Sequence, residues 1–144
     1  MDLNYYNNSF HLFVGLKNME SLKTDIVVFT DADVTNNTEG LLHLVASLDD
    51  DTVGAVCGDV IPYGIENSTT LSEGSYRSMY GKMCEIDSCE HSCINFNGQM
   101  LAVKRIAVDK ISNYGADDIN IAIRCVQNGY RAVYNRKCQI YETQ

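Results

Sequence analysis

Two aspartates separated by one residue, Asp31 and Asp33, are the first side chains whose type and spacing suit chemistry. They follow the apolar run at residues 26–29, and such a short, β-branched run predicts a strand buried on both faces, as in a parallel sheet. Ligands of such sheets bind at the carboxyl ends of the strands. Carboxylates held close together repel each other, so a divalent cation is their natural partner. The alternative is a polar turn that only links a strand to a loop.

A second acidic pair, Asp117 and Asp118, opens the clearest helical pattern in the sequence. Asp117 fits the N-cap, and Gly129 fits the left-handed position just past the C-terminus. A helix N-terminus favours ionised carboxylates, whereas crowding two of them raises the pKa of one. One of the pair can then act as a general base if its pKa is tuned toward the working pH. The alternative is an N-cap residue beside a surface charge.

The elements that position both pairs alternate between helix and strand, which predicts an α/β domain with a mostly parallel sheet. In the longest predicted helix, an apolar face is expected in the core, made of Leu71, Tyr76, Met79, Tyr80, Met83 and Ile86. The predicted helices cover residues 9–22, 38–48, 70–91 and 117–128, and the predicted strands cover residues 25–30, 53–60, 99–103, 132–134 and 139–141.

The length, composition and net charge of the chain are those of one acidic globular domain. The chain has 144 residues, of which 45% are hydrophobic and 21% charged, so it can bury a core and is not disordered in composition. Its net charge of −8 argues against binding nucleic acid or an anionic membrane surface. No apolar run approaches the roughly 18 residues of a membrane span, and residues 1–10 lack the features of a secretion signal. We therefore expect a single domain over residues 1–144, with residues 1–8 disordered.

Six cysteines leave two alternatives. Without a secretion signal, free buried thiols are expected rather than disulfides. A zinc site is the alternative, although the candidate ligands contain no C-x-x-C pair. Those candidates are Cys84, Cys89, His91 and Cys93.

Four motifs in order along the chain resemble the family 2 glycosyltransferases, in particular their processive, polysaccharide-making branch. The last motif is the most specific, because an acidic pair, an amphipathic helix and G-Y-R-x-V-Y occur together in it. The resemblance implies an incomplete, Rossmann-like glycosyltransferase A-type fold. The motifs are D-A-D, V-G-A-V-x-G, N-G-Q-M-L-A-V-K-R and D-D-I-N-I-A-I-R-C-V-Q-N-G-Y-R-A-V-Y.

The resemblance also implies an activity and a role for each candidate residue. A sugar passes from a nucleotide-sugar donor to an acceptor hydroxyl, on a carbohydrate or a lipid-linked acceptor, with inversion. Asp31 and Asp33 hold Mg²⁺ or Mn²⁺ against the sugar diphosphate. Asp118 is the general base, and Asp117 is its supporting neighbour. Gly98 lies by the acceptor, where a side chain would obstruct it.

The sequence departs from the family pattern at both ends. The nucleobase-binding segment expected before the D-x-D is missing, and so are the Q-x-x-R-W motif and the membrane helices that follow in the processive branch. The chain therefore resembles an internal piece with an exposed sheet edge, which invites pairing with a second chain. The alternative function is a non-catalytic interaction domain completed by such a partner. A cytoplasmic location, including the inner face of the membrane, is expected.

Overall fold

The computed structural model describes residues 3–7, 24–63, 68–108 and 117–143, with side chains at 24–61, 74–108 and 117–141. Within these residues, six strands form one sheet in the order β1-β2-β5-β4-β6-β3, and three α-helices pack on it. The strands are β1 (Leu3–Asn7), β2 (Ile26–Thr30), β3 (Val34–Asn36), β4 (Val53–Tyr63), β5 (Met100–Lys104) and β6 (Arg131–Thr143). The helices are α1 (Gly40–Ala46), α2 (Ser68–Glu90) and α3 (Asp117–Gln127).

The described strands make a mixed sheet. β1 pairs parallel with β2, and β4 pairs parallel with β6, whereas β5 is antiparallel to both β2 and β4, and β3 is antiparallel to β6. Four strands therefore share one direction, as a mostly parallel sheet requires, but most neighbouring pairs are antiparallel. Strand direction depends on the path of the connections, which side-chain periodicity does not report.

The core lies on both faces of the sheet, as the run at residues 26–29 predicts. Val27 and Phe29 belong to a cluster with residues of α2 and α3. Ile26 and Val28 belong to the opposite cluster, with Leu44 of α1. All four β2 side chains are at most 5% exposed, and burying one such side chain contributes about 1.5–3 kcal/mol. β2 is thus rigidly held where it ends, at the first acidic pair.

Helix α3 follows its predicted signals closely. It begins at Asp117 and buries Ile121, Ala122 and Cys125. Gly129 has a φ of 86°, and its N–H donates to the carbonyl of Val126 over 3.0 Å. This left-handed glycine just past the helix end was predicted and is confirmed.

Helix α2 corrects most of the predicted core, because four of its large apolar side chains face solvent. Tyr80 packs partly buried against the core as predicted, and the side chain of Leu71 lies outside the described ones. The buried residues among the described side chains of the helix are small: Gly81, Cys84 and Ser88. The Ser88 hydroxyl accepts a hydrogen bond from the Tyr134 N–H over 2.8 Å, which requires a close approach of α2 to β6. We call the exposed residues the α2 stripe, and their exposed fractions are 59% at Tyr76, 58% at Met79, 54% at Met83 and 62% at Ile86.

Three further expectations are settled or set aside by the fold. The predicted disorder of residues 1–8 is wrong for Leu3–Asn7, which pair along all of β2. The two short strands predicted near the carboxyl end are one strand, β6, with a register shift opposite Gly58 and Asp59. The predicted helix over residues 9–22 lies outside the described residues. No helix in the described part of the chain combines the length and apolar character that crossing a bilayer requires.

Candidate functional site

The first acidic pair lies on a turn that leaves the carboxyl end of β2. Asp31 directly follows the last residue of the strand and is half-buried, whereas Asp33 is exposed. The backbone N–H of Asp31 donates to the carbonyl of Gln99 over 3.0 Å. This bond ties the turn to the residue that precedes β5. The Asp33 carboxylate therefore projects from an anchored turn into solvent, where a cation can reach it.

The second acidic pair lies in the first turn of α3. Oδ1 of Asp118 accepts the N–H of Ile119 over 2.8 Å. Burial, and then the charge of Asp118, raise the pKa of Asp117. The repulsion expected between the two carboxylates thus adds to desolvation at Asp117.

Gly98 lies directly against Asp118. A Cβ atom on Gly98 would stand 3.5 Å from Oδ2 of Asp118, which is ordinary van der Waals contact. Among the described glycines only Gly129 has a positive φ. Gly98 therefore lies close to Asp118 without a left-handed backbone conformation.

The two acidic corners meet through adjacent residues. Gln99 contacts Asp31 through its carbonyl, and its neighbour Gly98 lies beside Asp118, with room for about one carbon atom between them. Asp31, Gly98 and Asp118 are therefore brought together at the carboxyl end of β2. Asp33 and Asp117 each stand one or two residues away from a member of that group.

Asn97 extends the same segment to β4, a role that the sequence did not reveal. Its Nδ2 donates to the carbonyl of Gly58 over 2.6 Å. Cys57 faces Leu101 in the sheet, so Gly58 lies level with the start of β5. The only signal in the sequence was the Asn-Gly pair, which predicts a turn and not a contact with β4.

A polar network beside this edge was also missed. The Tyr134 hydroxyl donates to Oδ1 of Asp59, and Nε of Arg136 lies 3.7 Å from Oδ2 of the same carboxylate. Nη1 of Arg136 bonds Glu85 of α2 over 3.1 Å. Burial, and then the bond to Asp59, raise the pKa of Tyr134. The network joins β4, β6 and α2, and a charged residue inside the apolar run of β4 was its signal.

No metal cluster is preformed in the described ranges, where no three His, Cys, Asp or Glu side chains are grouped to hold an ion. The zinc alternative loses its support accordingly. The Sγ atoms of Cys84 and Cys93 donate to the carbonyl of Asn95 over 3.8 and 3.6 Å. Cys89 and His91 are exposed. The thiols are free, and Cys89 alone among the six is not buried.

A surface cavity of about 630 Å³ lies at the opposite end of β2 and β5. Its lining includes Asp25, which precedes β2, whereas Asp31 follows that strand. Two positively charged side chains line this cavity, and each is bonded to a backbone carbonyl. Nζ of Lys104 donates to the carbonyl of Asp50 over 2.8 Å, and Nε of Arg105 donates to the carbonyl of Thr24 over 3.0 Å. This cavity is therefore separate from the acidic corners.

The chain is similar in sequence and in structure to known proteins. A sequence profile of glycosyl transferase family group 2 matches residues 26–144. The O-antigen chain rhamnosyltransferase RfbN of Salmonella typhimurium is 21% identical over 133 residues, which cover 83% of this chain and 42% of RfbN. The solved structure of mannosyltransferase PcManGT from Pyrobaculum calidifontis, in complex with GDP-Man and Mn²⁺, matches with a TM-score of 0.70 and 26% identity. That match covers 90% of this chain and 35% of PcManGT.

These comparisons confirm the predicted glycosyltransferase A-type fold class. The chain spans less than half the length of either protein that it matches. Activities named for the whole relatives therefore describe those proteins.

Proposed function

Because the chain belongs to glycosyl transferase family group 2, we propose that it transfers a sugar from a nucleotide-sugar donor to an acceptor hydroxyl, with inversion. One observation carries the proposal: adjacent residues, Gly98 and Gln99, join Asp118 to the Asp31 turn. The carboxylates proposed to hold the metal and the carboxylate proposed as the base thereby lie at the same edge of the sheet, where ligands of α/β sheets bind.

Asp31 and Asp33 are proposed to hold Mg²⁺ or Mn²⁺. The donor set fits a hard cation, since both residues offer carboxylate oxygens, and Asp33 is exposed on an anchored turn. The described residues bring no third His, Cys, Asp or Glu side chain to this turn, so donor diphosphate oxygens and water would help to complete the coordination shell. A bound cation supplies Lewis-acid stabilisation of charge on the diphosphate leaving group.

Asp118 is proposed to take the proton of the acceptor hydroxyl. Its Oδ1 is occupied by the Ile119 N–H, so Oδ2, which faces Gly98, is the basic oxygen. The absence of a side chain at Gly98 leaves room for the acceptor beside it. A positioned base contributes typically about 10²–10⁴-fold to the rate. Asp117 supports Asp118 by keeping the carboxyl pair at the start of α3.

The donor and acceptor are proposed by class. The named activities of RfbN and PcManGT, rhamnosyl and mannosyl transfer, favour an activated hexose or deoxyhexose as donor. A carbohydrate or lipid-linked acceptor is consistent with an O-antigen relative. A chain with a net charge of −8 would take an anionic donor with the help of the cation.

The alternative, an interaction domain completed by a second chain, is favoured by the α2 stripe. Four large apolar side chains more than half exposed on one helix are typical of a contact surface. β1 covers the edge of β2, so such a partner would meet α2 rather than β2. Size-exclusion chromatography of the chain alone and with a candidate partner tests this function: a stable complex without donor binding favours it.

The test of catalysis is Mn²⁺-dependent binding and hydrolysis of GDP-mannose and of UDP- and dTDP-activated hexoses. Asp33→Ala should abolish the Mn²⁺ dependence, and Asp118→Asn should retain donor binding while turnover falls at least about a hundredfold. Asp51→Ala is the matched control, since Asp51 is an exposed carboxylate of the opposite cavity. Equal behaviour of the wild type and Asp33→Ala would contradict the proposed metal site.

A further inference from the structure

Residues 97–99 contact three separate elements within three positions. The Asn97 side chain bonds Gly58 of β4, Gly98 lies against Asp118 of α3, and the carbonyl of Gln99 bonds the Asp31 turn. Of the two hydrogen bonds, the one to Asp31 is made by the backbone alone. Asn97 is thus the residue whose side chain ties this segment to the sheet.

The chain before this segment is anchored independently of Asn97. The N–H of Cys93 donates to the carbonyl of Ala132 over 2.8 Å, and the Tyr80 hydroxyl donates to the carbonyl of Asn95 over 2.5 Å. Phe96 is 3% exposed and belongs to the core. Loss of the Asn97 bond should therefore loosen residues 97 and 98, while buried Phe96 on one side and the Gln99 backbone bond to Asp31 on the other stay in place.

The amide of Asn97 is only half satisfied by its surroundings. Its Oδ1 is buried and meets no hydrogen-bond partner among the described residues, and burying an unpaired polar atom is unfavourable. The orientation is set by Gly58, because the amide nitrogen and not the oxygen must face that carbonyl. A residue that only filled space would avoid the unpaired oxygen, so the N–H bond to Gly58 is what this amide provides.

We propose that Asn97 is a positioning residue for Asp118, an inference that rests on the proposed function. Its bond to Gly58 holds Gly98 beside Oδ2 of Asp118 while Gln99 holds the Asp31 turn. Asn97 thereby fixes the distance between Asp118, the proposed base, and the Asp31 turn, the proposed metal site. A displacement of about 1 Å in such a site can lower turnover on the order of a hundredfold.

The experiment compares Asn97→Ala and the shape-matched Asn97→Asp with the wild type. Asn128→Ala is the control, since Nδ2 of Asn128 also donates to a backbone carbonyl, that of Ala107, over 3.1 Å. The first readout is NMR: the nuclear Overhauser contact between Gly98 and Asp118, and the order parameter of the Gly98 amide. Both Asn97 variants should lose the contact and lower the order parameter from about 0.85 to below about 0.6, and Asn128→Ala should keep both.

The second readout is kinetic. Asn97→Ala should lower kcat at least about tenfold, with the Mn²⁺–donor dissociation constant changed by less than about twofold. An intact Gly98–Asp118 contact in Asn97→Ala would overturn the proposal, and so would an equal loss of kcat in Asn128→Ala. A wild-type chain without turnover or Mn²⁺-dependent binding would instead contradict the proposed function. The NMR contact then still decides whether Asn97 positions Asp118.

Discussion

Gly81 should be the glycine of α2 that tolerates no side chain. A Cβ atom there would stand 2.7 Å from the Tyr134 hydroxyl oxygen and 3.5 Å from Oδ1 of Asp59. Tyr134 is 7% exposed, so its ring has little room to retreat. In Gly81→Ala the hydroxyl must move, and its hydrogen bond to Asp59 is lost.

The expected magnitude follows from two opposing effects. Losing a hydrogen bond to a charged acceptor costs about 1.5–3 kcal/mol. Replacing glycine by alanine inside a helix contributes about 1 kcal/mol of stability. Gly81→Ala should therefore lower the free energy of unfolding by about 0.5–2 kcal/mol. Gly74, on the same helix, is the matched control because nothing lies within 4 Å of its added Cβ, so Gly74→Ala should raise stability by up to about 1 kcal/mol.

Urea unfolding of both variants, followed by circular dichroism, measures the difference. Tyr134→Phe supplies the decisive third arm, since it removes the atom that the new Cβ meets. In that background, Gly81→Ala should no longer destabilise, because the hydrogen bond is already gone, and the coupling energy should be about 1.5–3 kcal/mol. If Gly81→Ala proves as stable as Gly74→Ala, the packing of α2 on Tyr134 is not as described here.

Three other predictions concern charge, thiols and exposure. Because burial and a neighbouring carboxylate raise the pKa of Asp117, its contribution to stability should fall as pH rises from about 3.9 through its folded pKa. In Asp117→Asn, the free energy of unfolding should fall less steeply with pH over this range. An unchanged slope of the free energy against pH would contradict the raised pKa of Asp117. Cys89 is exposed and burial raises the pKa of Cys125 to about 12, so iodoacetamide should add one group to the native protein by intact mass, and rapid addition of several would refute the burial. Met83 is exposed, so Met83→Ala should change the free energy of unfolding by less than about 0.5 kcal/mol. Met100 is buried, so Met100→Ala should lower it by about 2–5 kcal/mol. Similar urea midpoints for the two variants would contradict the difference in burial.

Local sequence patterns predicted correctly the strand and the helix whose formation depends on neighbours in sequence. The apolar run at residues 26–29 identified β2 and the acidic turn that follows it. The spacing of apolar residues after Asp117, with Gly129 at the end, identified α3 and its left-handed cap. Period and capping act within a few residues, so they are legible in a single sequence. The motif order identified the family that the profile match then confirmed.

The same reasoning located α2, predicted over residues 70–91 and found at Ser68–Glu90, but it assigned most of the buried face of this helix wrongly. Apolar spacing at Tyr76, Met79, Met83 and Ile86 predicted a buried face, yet the sheet packs against Gly81, Cys84 and Ser88. Small residues let α2 approach β6 closely enough for the Ser88 hydroxyl to bond the Tyr134 N–H. Side-chain hydrophobicity alone does not carry that information.

The sequence by itself determined the strand that ends at Asp31, the helix that opens at Asp117, and the family. Only the tertiary structure decided that β5 lies between β2 and β4 and that Gly98 meets Asp118. It also decided that Asn97 reaches Gly58 across 39 positions and Tyr134 reaches Asp59 across 75. The physical reason is that elements form from local backbone and packing preferences, whereas a site forms from contacts between distant residues that exist only once the sheet has assembled.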